Sequence, residues 1–181
     1  MEKPPIARRY AMAKAVAFCG LLALGLLVLV AFLIRPRWPN EAELIQNFQA
    51  KRAGYERLRE MFVADGQLNR VTSYGVATTN TISAMKPEDI GFSTDRHNEY
   101  LSLLKQTGVL MISRREWEQS SDPLILVWVW GWGGHTKHVG ICWKDQEPTN
   151  QVASLYQHRL TGGNRRSIYR RIDGHWYLWR D

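Results

Sequence analysis

Residues 15–34 read AVAFCGLLALGLLVLVAFLI, twenty consecutive positions without a charged or strongly polar side chain. As a helix the run would rise roughly 30 Å, the thickness of a bilayer's hydrocarbon core. It has no polar stripe to turn towards water, so it is expected to be a transmembrane helix. A secretory signal peptide would carry a shorter apolar stretch, about 7–15 residues, closed by a small-x-small cleavage site. Here bulky residues stand at that point, in Val30-Ala31-Phe32-Leu33-Ile34-Arg35. Cys19 lies inside the run and does not close it as a lipid-carrying Cys would. The reading is therefore an uncleaved signal-anchor.

The flanks favour one orientation. Residues 1–14 form a short basic tail with Lys3, Arg8, Arg9 and Lys14 against Glu2. Arg35 and Arg37 follow the run, then Lys51 and Arg52 with Glu41 and Glu43 between, so the two sides nearly balance in Lys and Arg. The tail concentrates its charge in few residues, and long domains translocate largely regardless of charge. This places the tail in the cytoplasm and the domain outside, which in a bacterium is the periplasm. Residues 35–40 are a short linker in which Pro36 and Pro39 stop the helix and Trp38 suits the membrane interface.

Composition limits the rest of the chain. Of 181 residues, 45% are hydrophobic and 23% charged, too apolar for a disordered protein. Cys142 is the second and last cysteine, so a disulfide framework is excluded. Residues 41–181 are expected to be one α+β domain: two helices packed on a four- to five-stranded antiparallel sheet.

Periodicity supplies the elements. Asn40 and Glu43 outline a capping box. Leu44, Phe48, Tyr55, Leu58 and Phe62 then fall on one helical face, predicting a helix over about 41–64 stopped by Asp65-Gly66. Its opposite face, with Gln46, Glu56, Arg57 and Glu60, is read as solvated. Residues 67–92 are weakly patterned, with one short strand at 71–76 and a helical turn at Lys86-Pro87-Glu88-Asp89. Ser93-Thr94-Asp95 starts a second helix bearing His97, Tyr100, Leu101 and Leu104 on one face and closed by Gly108. Strands are predicted at 109–113, 124–130 and 138–144, the middle one central because it is apolar on both faces. Asp173-Gly174 signals a hairpin with strands at 167–172 and 175–180. A turn at those two residues pairs Arg171 with Trp176 and Arg170 with Tyr177, giving each arginine an aromatic neighbour.

No local motif of a known chemistry is present: no Walker A loop, no Gly-x-Gly-x-x-Gly, no Cys-x-x-Cys, no His-Glu-x-x-His, no Gly-x-Ser-x-Gly. The most unusual stretch is Trp128-Val-Trp130-Gly-Trp132-Gly-Gly-His135-Thr-Lys-His138. Its tryptophans at spacing two share a sheet face. Trp130, Trp132, His135 and His138 are the candidate ligand-binding residues, an aromatic platform with a polar rim. The competing reading makes the tryptophans core. Cys142 shares a strand face with His138, but a metal site needs three or four ligands, and neither a metal nor a cofactor is expected. His97 is read as a hydrogen-bonded core residue.

Arg159, Arg165 and Arg166 surround Gly162-Gly163 and are candidates for contact with anionic groups. Beyond the run the chain carries 20 basic and 16 acidic residues, a net +4. That is too diffuse for a nucleic-acid-binding stripe. Glu88, Asp89, Asp95 and Glu99 are read as helix-start acids and not as a catalytic cluster.

The plan, a basic tail, one anchor and a small α+β domain, is common among bacterial membrane proteins, and no motif ties it to one family. The functional expectation is a single-pass membrane protein whose domain binds a protein or envelope component near the bilayer. The alternative is a membrane-tethered enzyme or small-ligand-binding domain using the Trp132–His138 loop.

Overall fold

A computed structural model of the chain describes residues 18–27, 29, 39–81, 83–114, 123–130, 137–157 and 167–181, with the side chains of 128–130 and 137 excepted. The chain divides into two units, Met1–Trp38 and Pro39–Asp181.

In the first unit, residues 18–27 are helical, and Phe18, Leu21, Leu22, Leu24, Leu26, Leu27 and Leu29 are 52–69% exposed. Among the described residues no helix is long and apolar enough to cross a membrane. The transmembrane helix expected over 15–34 is thus not established; its two ends lie outside the described residues.

The second unit is α+β, with helices on a seven-stranded antiparallel sheet. Helices α1 (Glu41–Ala50) and α2 (Arg52–Ala64) precede the hairpin β1 (Leu68–Thr72) and β2 (Gly75–Thr78). A 3-10 turn (Pro87–Ile90) leads to α3 (Thr94–Thr107). Strands β3 (Met111–Arg114), β4 (Pro123–Trp130), β5 (Lys137–Trp143), β6 (Ile168–Asp173) and β7 (Trp176–Arg180) complete it. The order across the sheet is β2-β1-β3-β4-β5-β7-β6, so β4 is central, as its two apolar faces require.

The helix caps follow the sequence. Asn40 accepts from the N–H of Ala42, and Ser93 accepts from that of Arg96. Gly108 closes α3 at φ 78°, the left-handed conformation that glycine adopts without penalty. The continuous helix expected over 41–64 is instead two. Lys51, at φ −121°, breaks the path. The break serves the end of α3. There the Thr107 carbonyl, which lacks an intrahelical partner, receives bonds from Asn47 Nδ2 (3.1 Å) and Lys51 Nζ (3.5 Å). Gly54 lets α2 approach closely at that point, since a Cβ would stand 2.8 Å from Thr107 Cγ2.

Among the described residues the sheet has seven strands in place of the four or five expected, and the Thr- and Gly-rich stretch forms a hairpin and not one strand. Thr72 Oγ1 donates to the Gly75 carbonyl at 2.9 Å and ties its turn. The final hairpin also corrects the expected register. Its turn residues are Gly174 and His175, with Gly174 at φ 54°, so Asp173 pairs with Trp176. A bulge at Ile172 takes back only half of that offset, leaving each pair beyond it moved by one. Arg171 therefore faces Tyr177 and Arg170 faces Leu178.

One row of side chains crosses the whole sheet on the helix side. Val76, Val71, Ile112, Ile125, Ile141 and Leu178 are successive pairing partners, each fully buried, and the row ends on Arg170. Branched side chains stacked this way are the favoured filling of a pleated surface. Above it, Phe48 and Tyr55 pack on Trp176, with ring centroids 5.1 Å and 6.4 Å away. On the other sheet face Leu124, Leu126, Cys142, Tyr169, Tyr177 and Trp179 form a second buried cluster.

Candidate functional site

Two polar clusters stand out, the first positioned by β5 and β7 and the second by α1 and β6. The first is His138 with Asp181. Val139 pairs with Arg180, and this register sets His138 beside Asp181. The Asp181 carboxylate accepts from the His138 backbone N–H at 2.9 Å and lies 3.0 Å from its ring Nδ1. The Asp181 N–H donates back to the His138 carbonyl at 3.3 Å. The imidazole stacks on Trp179 at 6.3 Å and 26°. Trp179 in turn lies against Gly140, where a Cβ would come within 2.6 Å of its Nε1. Glycine is thus required at 140 for the indole that backs the imidazole. A carboxylate on Nδ1 fixes the ring's orientation and, in the neutral ring, leaves the lone pair on Nε2. That nitrogen makes no hydrogen bond among the described residues, and the His138 side chain is 27% exposed. Chemically the pair can accept a proton or a hydrogen bond, or bind one face of a ligand.

The second cluster surrounds Glu41. Although it opens a helix beside the linker, its side chain is only 7% exposed. It accepts from Ser154 Oγ (2.8 Å) and the Tyr156 N–H (3.1 Å), and it pairs with Arg170. Burial pushes its carboxyl pKa up, but the Arg170, Ser154 and Tyr156 hydrogen bonds outweigh this and hold it below the ordinary 4.5. Tyr156 OH donates to the Pro39 carbonyl at 2.6 Å, and the Arg180 guanidinium lies 5.7 Å from the Tyr156 ring. Burial holds the Arg180 pKa below its usual value, with Tyr156 and Glu41 opposing. Ser154, Tyr156 and Arg170 occupy the Glu41 carboxylate from within the domain, as a structural lock requires.

The sequence candidates distribute unevenly. Trp130 pairs with Lys137 through the backbone, at the same end of the sheet as His138. The Trp130 side chain, Trp132, His135, His158, Arg159, Arg165 and Arg166 lie outside the described residues. His97 is buried, with Nε2 3.2 Å from the Thr72 carbonyl, as expected. His175 Nδ1 bonds the Lys144 carbonyl at 2.8 Å. Cys142 is buried, and among the described residues no three His, Cys, Asp or Glu side chains converge as metal ligands.

Glu99 is not a helix-start acid. It bridges α2 and α3 by accepting from Arg57 (2.8 Å) and Arg96 (2.7 Å). The expected solvated face of α2 is also partly engaged, since Glu56 accepts from Trp176 Nε1 at 2.9 Å. Sequence reasoning missed Asp181 and Glu41. Asp181 had one usable signal: pairing β5 with β7 brings it opposite His138, whereas sequence distance suggested only the β6–β7 hairpin.

No protein-family model, curated protein or solved structure matches the chain.

Proposed function

We propose that the chain is a single-pass membrane-anchored protein whose α+β domain binds a protein or envelope component close to the bilayer. The observation that supports this is the apolar helical surface at 18–27, where seven large side chains counting Leu29 are more than half exposed. Exposed apolar surface of this kind is costly in water and calls for a cover. The twenty-residue run in which it sits has the length that lipid tails would cover. The second unit begins at Pro39, and its first residues are tied down by Tyr156, Asn40 and Glu41, which leaves few residues for a stalk.

Fractionation of the full-length protein tests the anchor. It should stay with membranes through alkaline carbonate and leave them only with detergent; release without detergent ends the reading. A reporter fused after Asp181 that is active on one side of the membrane tests orientation, and crosslinking in native membranes with mass spectrometry tests the partner.

A second reading rests on the His138–Asp181 pair: a small-ligand site or an enzyme tethered to the membrane. Its support is a held imidazole with Nε2 unbonded among the described residues. His138→Ala and His135→Ala should then change turnover or affinity across a panel of glycans, peptides and metal ions. A panel with no binding and no turnover by the parent protein removes it.

A further inference from the structure

We draw no further inference here: the strongest candidate, the His138–Asp181 pair at the adjoining ends of β5 and β7, belongs to the site already described, and nothing among the described residues shows what its Nε2 would meet.

Discussion

Asp181 grips His138 twice, through the backbone N–H at 2.9 Å and through ring Nδ1 at 3.0 Å. The two side chains are 27% and 14% exposed. Partial shielding of this degree should make their coupling exceed that of an open surface pair yet stay modest. A double-mutant cycle with His138→Ala and Asp181→Asn should give a coupling of about 1 kcal/mol in urea denaturation. Strict additivity of the two changes would mean the contact holds nothing together.

Glu41 and Arg170 form a more buried pair. Each is left without its main partner if the other is removed, so Glu41→Ala or Arg170→Ala should cost about 3 kcal/mol, less if water reaches the half-buried guanidinium. The double replacement Glu41→Leu with Arg170→Met should recover much of that loss. Because the native carboxyl pKa is below 4.5, the unfolded chain binds protons first as pH falls. The Glu41 contribution is therefore present above about pH 4.5 and is lost as pH drops through the lower native value. Thermal denaturation from pH 6 to 3 should show a shallower acid limb for Glu41→Gln than for the parent.

The alkaline limb has its own cause. Burial pushes the Tyr55 hydroxyl up to about 12, with the Asn47 bond opposing. Burial together with Glu41 pushes Tyr156 to about 12. Burial and the bond to Asp65 raise Tyr100 further. These native hydroxyls keep their protons where the unfolded chain has lost them, so stability is intact below about pH 10 and falls as pH rises above it. Ultraviolet titration of tyrosinate should show a late phase that coincides with loss of circular dichroism. A single early phase near pH 10 in the folded protein would contradict it.

Gly140 is expected to be the least replaceable glycine among those described in β5 and the helices. An added Cβ would lie 2.5 Å from the Ile125 carbonyl oxygen and 2.6 Å from Trp179 Nε1. The first is backbone of the central strand and cannot turn aside. Gly140→Ala should cost about 2–3 kcal/mol and shift the Trp fluorescence. Gly54→Ala meets a Thr107 methyl and should cost less. Equal costs in equilibrium unfolding would refute this ranking.

Local signals were legible where the chain's neighbours in sequence decide the outcome. Asn40, Ser93 and Gly108 act as caps because capping needs only the adjacent backbone. The apolar face from Leu44 to Phe62 is buried as its spacing demands, but the break at Lys51 coincides with a contact to the Thr107 carbonyl, 56 residues away. The hairpin position was readable from Asp173-Gly174. Its register was not, because the turn falls one residue later and a bulge at Ile172 only half compensates, which moves every pair by one and assigns Arg170 to the helix side. The polar clusters are non-local by nature: Glu41 meets Arg170 across 129 residues, and His138 meets Asp181 across 43. Periodicity carries no information about either.

The apolar run can be probed at its middle. Leu24 lies in the helical stretch and is 59% exposed. If lipid covers this surface, a charge near the centre of the run opposes insertion by about 2.5–3.5 kcal/mol. Leu24→Arg should then move a measurable fraction of the full-length protein out of the carbonate-resistant membrane pool, whereas Leu24→Ile should not. The domain offers an internal control, because its buried apolar core is drawn from residues within Pro39–Asp181 and its unfolding midpoint should be unchanged by either substitution. Should Leu24→Arg leave the membrane pool intact, the run is held by something other than hydrocarbon, and the anchored reading fails with it.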